Sequence, residues 1–82
     1  PSTVPALPED PSSLFRAALE ARRAGRAKDA AQALHAFIGR FPDDARAGLA
    51  LFELGRLEMD QLRLPSTAIE TLERAIAKGP QS

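Results

Sequence analysis

The chain has 82 residues, with 11 basic and 11 acidic side chains, one histidine and no cysteine. That length suits one small domain; the balanced charge gives no global pull toward nucleic acid or an anionic membrane. The missing cysteines exclude disulfides and thiolate metal sites. Hydrophobic residues make up 44%, weighted toward alanine, with four Phe, no Trp or Tyr, one Val and three Ile. Runs of β-branched and aromatic residues that would build strands are absent, so the class is all-α. No apolar run approaches the roughly 20 residues of a membrane-spanning helix.

Residues 1–11 hold four prolines, three of them (Pro5, Pro8, Pro11) at every third position. This favours extended, polyproline-like backbone and is expected to be a linker or tail, with a ligand for a small proline-reading domain as the alternative. The first helix is expected from Ser12 or Ser13, either able to cap it, with Leu14, Ala17, Ala18, Ala21 and Ala24 at helical spacing. Arg22 and Arg23 suit the negative end of the helix dipole, and Gly25 is a left-handed stop. A second helix, about Ala27 to Arg40, carries Ala30, Leu34, Phe37, Ile38 and Phe41 on one face and ends at Pro42.

Asp43 and Asp44 then precede a new apolar period, where a carboxylate can cap free N–H groups; a metal site is the alternative. The third helix is expected from about Ala45 to Leu62, with Leu51, Leu54, Gly55 and Glu58 on its stripe. Pro65-Ser66 marks a break, and Thr67 with Glu70 fits a capping box for a fourth helix. Its buried stripe is expected to be Ala68, Leu72, Ala75 and Ile76, with Lys78-Gly79-Pro80 as the stop. Four helices joined by short turns give two antiparallel hairpins, about 12–42 and 44–80, with residues 81–82 as a tail. Starting at Pro1 without an initiating Met, the chain reads as a piece of a longer one.

The two hairpins repeat each other. Ala30, Leu34, Ile38 and Pro42 recur 38 residues on as Ala68, Leu72, Ile76 and Pro80, and Leu14-Phe15 recurs 37 on as Leu51-Phe52. Such a period signals stacked helical units that cannot each bury an apolar face alone. Small residues sit where helices must come close: Ala18, Ala30, Gly55 and Ala68. A glycine inside a helix costs about 1 kcal/mol against alanine, so Gly55 is expected to have a packing reason. Charge divides between the halves. Six basic residues face Glu20 and Asp29 between Leu14 and Arg40, whereas seven acidic residues face three arginines between Asp43 and Glu73. Solvated helix faces account for this; head-to-tail packing of chains is the alternative.

Leu54-Gly55 followed by Ala68, Leu72, Ala75 and Pro80 resembles the tetratricopeptide repeat, and Ala18, Gly25, Ala30, Leu34 and Pro42 match it in the first hairpin. The likeness covers about residues 11–80. The endings Phe37-Ile38 with Phe41-Pro42, and Ala50 with Leu54-Gly55, look most like repeats of bacterial cell-envelope proteins. This implies, without deciding it, a bacterial periplasmic or envelope setting over a cytoplasmic one. Departures are plain: Leu14 and Leu51 stand where Trp is common, Ala21 and Glu58 where Tyr is common. The period also exceeds the usual 34 or so.

The resemblance implies a groove lined by the first helix of each hairpin, facing a peptide or partner helix through Phe15, Leu19, Arg22, Arg23, Phe52, Arg56 and Met59. Phe15 and Phe52 match each other yet fall beside the main stripe of their helices; packing into the core is their alternative role. Phe15 and Leu19 occupy positions where a clamp for a free C-terminal carboxylate needs Lys and Asn, so that ligand is not expected.

No catalytic residues, cofactor or metal are expected. His35 falls on the solvent side of the second helix, and Ser12, Ser13, Ser66 and Thr67 read as caps. There is no glycine-rich phosphate loop. The expected function is therefore a non-enzymatic protein-interaction module of a larger bacterial protein, with self-assembly as the alternative. Two repeats fall short of the three or so that stacked arrays need, so further repeats or a second chain are expected. Ile69, Leu72 and Ile76 would offer such a neighbour an apolar edge.

Overall fold

A computed structural model describes residues 7–79. Among them four helices form: α1 (Pro11–Arg23), α2 (Ala27–Arg40), α3 (Ala47–Asp60) and α4 (Pro65–Lys78). α1 packs against α2 and α3 against α4, and α2 joins the two hairpins by packing on α3. The all-α architecture of two helical hairpins is as expected. Pro80 and the first six residues of the tail lie outside the described residues.

The core explains the order of packing. Leu14, Phe15, Ala18 and Ala21 from α1 meet Ala30, Ala33, Leu34 and Phe37 from α2, and Ala50, Leu54 and Leu57 from α3 close the cluster. Leu14, Leu34, Phe37 and Leu54 have no exposed surface, and each such side chain contributes about 1.5–3 kcal/mol by leaving water. Three helices thus share one core. α4 stands outside it, burying only Ala68 and Thr71.

At the helix ends some local signals decide the boundary and others are overridden. Gly25 takes φ +82°, and the N–H groups of Gly25 and Arg26 donate to the carbonyls of Arg22 and Ala21, closing α1 with a left-handed turn. α2 has the expected bounds.

The other three starts need correction. α1 begins at Pro11, not at a serine: Asp10 is its cap and accepts the Ser13 N–H at 2.8 Å. Proline lacks the N–H that the first turn leaves free, so it fits that position. α3 begins at Ala47 and ends at Asp60, shorter than expected at both ends. Asp44 does not sit at the cap position; it accepts the N–H of Arg46 at 2.8 Å in the turn before the helix. α4 begins at Pro65, with Leu64 as its cap and no capping side-chain hydrogen bond, so the Thr67–Glu70 box does not form. Here the chain turns by placing Arg63 at φ +56°.

Two further expectations on α4 and the tail change. Ile76 is 78% exposed rather than buried, while Thr71 is 4% exposed and donates to the Thr67 carbonyl at 3.0 Å. The tail is not wholly a linker, because Leu7 packs on the core and the Pro8 carbonyl accepts from Arg40 at 3.4 Å.

Gly55 has the packing reason its position implied. A Cβ built there would lie 2.5 Å from Leu72 Cδ2 and 2.6 Å from Leu72 Cγ. α3 and α4 approach so closely that only a hydrogen fits between them.

Candidate interaction surface

Arg46 organises the junction of the first three helices. Its Nε and Nη2 donate to the two oxygens of Asp44 at 2.9 and 3.0 Å, and its Nη1 donates to Ser12 Oγ at 3.1 Å. The guanidinium lies 5.8 Å from the Phe15 ring centre and 5.6 Å from that of Phe37, within the range of a cation–π contact. The two rings pack at 5.3 Å between centroids. These hydrogen bonds hold the Asp44 carboxyl below its ordinary value of 3.8, at about 2. They also occupy both oxygens of Asp44, one of the two adjacent acids of the alternative metal site.

Phe15 is therefore a core residue, 8% exposed, and is not available to a partner. This corrects both its place among the groove residues and its position beside the buried stripe. Its repeat counterpart behaves differently: Phe52 is 45% exposed. Repeat-equivalent phenylalanines have divided, one into the core and one onto the surface.

The remaining groove residues fall as follows. Leu19 is half-buried against the core. Arg22 pairs with Glu53 at 3.4 Å, bridging α1 to α3; at 39% side-chain exposure the pair fixes orientation more than it stabilises. Arg23 is exposed at the last turn of α1. Arg56 is exposed and sits over the Phe52 ring at 5.9 Å. Met59, 38% exposed, lies seven residues after Phe52 and so on the same side of α3. The structure thus joins Phe52, Arg56 and Met59 in one stripe, and leaves Phe15 out of it.

The surface also includes Leu49 and Leu64, which no motif in the sequence marks. Leu49, Leu64, Ile69 and Ile76 are exposed as well as Phe52 and Met59, so every exposed large hydrophobic among the described residues lies in the second half of the chain. Between α3 and α4 runs an apolar groove of about 500 Å³, with Leu49 and Phe52 on one wall and Leu72, Ala75 and Ile76 on the other. Phe52 and the apolar edge expected at Ile69, Leu72 and Ile76 were its signals in the chain. Glu58 is the odd member of α3, 3% exposed with Oε1 lacking a hydrogen-bond partner, where the first hairpin has Ala21.

The residues considered for chemistry are scattered. His35 is exposed on α2, and among the described residues no three His, Cys, Asp or Glu come together to hold a metal. No described helix is long and apolar enough to cross a membrane. In comparisons with known proteins, the chain matches no family model, no curated protein and no solved structure.

Proposed function

We propose that this chain is a non-enzymatic protein-interaction module of tetratricopeptide type, belonging to a larger bacterial protein with the cell envelope as its setting. It binds a peptide or partner helix across the α3 stripe and the arginines beside it. One observation carries the reading: Leu49, Phe52 and Ile76 are exposed and line one apolar groove, on one hairpin of an otherwise well-packed domain. Large apolar patches on small proteins mark interaction sites, whereas scattered single ones need no account. Arg56, over the Phe52 ring, adds a directional donor beside it, a residue type enriched at interfaces.

A photo-crosslinking amino acid at Arg56 or Met59, introduced into the whole protein in its native cell, tests this. A discrete protein adduct is expected from those positions and none from Gln32 or His35, which are exposed on α2. Equal labelling from both sides, or none at Arg56 and Met59, refutes the reading. Self-assembly is the second reading, favoured by the apolar edge of Ile69 and Ile76. A mass constant from micromolar to millimolar concentration in light scattering removes it.

A further inference from the structure

The internal repeat supplies a physical template for what the open groove takes up. In the first hairpin, the face formed by Phe15, Leu34, Phe37 and Ile38 is covered by α3, which contributes Ala50, Leu54 and Leu57 to the shared core. Thirty-seven or thirty-eight residues later, the same face consists of Phe52, Leu72, Ala75 and Ile76. These residues line the groove between α3 and α4. One face is closed by a helix and, among the described residues, its copy is open, with Phe52 at 45% and Ile76 at 78% exposure.

The copies differ in one respect that defines the occupant. Ala75 stands where the first hairpin has Phe37, and Gly79 where it has Phe41. Phe37 and Phe41 pack ring to ring at 5.8 Å, and their bulk lets α3 close the first face with alanines, Ala47 and Ala50, both with no exposed surface. Without those two rings the second face is hollow. A helix docking there must bring large side chains where α3 has alanine, since a void loses both contact and transfer energy.

Neither α3 nor α1 of a second copy supplies that helix. The face of α3 that carries Ala50, Leu54 and Leu57 is already buried. On α1, the positions equivalent to Ala50, Leu54 and Leu57 hold Ser13, Ala17 and Glu20, too polar and too small for a hydrophobic groove.

We propose that the α3–α4 groove docks an amphipathic helix of a partner protein, in the place α3 takes on the first hairpin, with Leu, Ile or Phe at the positions of Ala47 and Ala50. This rests on the interaction reading above and names its surface and the class of its ligand. The mode is a helix laid in a groove, anchored at i, i+3 and i+7.

Two labelled synthetic peptides test it against the whole protein. One has the sequence of residues 44–62; the other carries Ala47→Leu and Ala50→Leu in that sequence. The leucine peptide is expected to bind saturably and at least about tenfold more tightly than the parent, a difference of about 1.4 kcal/mol. Ile76→Glu in the protein, at a position too exposed to matter for folding, is expected to abolish that binding, and Phe52→Ala to weaken it about tenfold. Far-ultraviolet circular dichroism of both variants is expected to match the wild type.

The parent peptide binding as well as the leucine peptide, or Ile76→Glu leaving binding intact, overturns the proposal. Either result would mean that peptide exchanges with α3 in its own buried seat. No saturable binding of the leucine peptide also overturns it. So does a wild-type dimer that Ile76→Glu dissociates, because the occupant is then a second copy. Crosslinking at Arg56 and Met59 is scored separately, so loss of the groove proposal leaves the module reading standing on its own test.

Discussion

Gly55→Ala is the substitution most directly decided by distance. In isolation it favours the helix, since alanine is about 1 kcal/mol better than glycine within α3. Against this, the new methyl would stand 2.6 Å from Leu72 Cγ, a branch point that cannot swing aside without moving α4. Overpacking of this kind costs about 1–3 kcal/mol, so the net effect is a loss of about 1 kcal/mol. For a domain of this size that lowers Tm by about 4–8 °C. Leu72→Ala removes both Cδ2 and Cγ from the conflict. The third of the three nearest atoms, Leu72 N at 3.5 Å, is an ordinary contact.

In the Leu72→Ala background, Gly55→Ala should then stabilise by up to about 1 kcal/mol from helix propensity alone. The coupling between the two sites is therefore about 2 kcal/mol, within the range that contacting residues show. Urea unfolding of the four proteins, followed by far-ultraviolet circular dichroism, measures it. Gly55→Ala stabilising the wild type, or having the same effect in both backgrounds, would refute the claim that Leu72 is the reason for the glycine.

Two further outcomes follow from the same packing. Phe15→Ala should lower stability by about 3–5 kcal/mol as a buried aromatic is deleted, whereas Phe52→Ala, at the matching position of the second hairpin, should change it by less than about 1 kcal/mol; similar losses in denaturant unfolding would show that both rings are core. Asp44 should leave a mark in acid. Its carboxyl is lowered from 3.8 to about 2 by the Arg46 hydrogen bonds, so its contribution is present above pH 3.8 and is lost as pH falls toward about 2. Asp44→Asn should be less stable at neutral pH and should lack that loss; a parallel fall of both proteins in acid-titrated melts would show that the pair contributes nothing.

Local chemistry was legible wherever one residue type serves one backbone need. Gly25 and Pro42 end helices for reasons internal to the chain, and the bounds of α2 follow from them. Caps were less legible, because several side chains compete for the same N–H groups. Asp10 outreached Ser12 and Ser13, helped by a proline that tolerates the first turn. At Arg63 the chain adopts a left-handed turn without a glycine to announce it. The placement of Arg46 under three helices left no trace in its neighbourhood, since its ring partners Phe15 and Phe37 are far away along the chain.

The chain alone determined that its helices form, that they pair as two similar hairpins, and that alanine and glycine mark the close approaches. Those are consequences of period, caps and side-chain volume within each segment. Only the tertiary structure decided the fates of Phe15 and Phe52 and the exposure of Ile76. A helical period defines a stripe, but whether that stripe is covered depends on which helix lies against it. α3 covers the first hairpin. Among the described residues, nothing lies over the second.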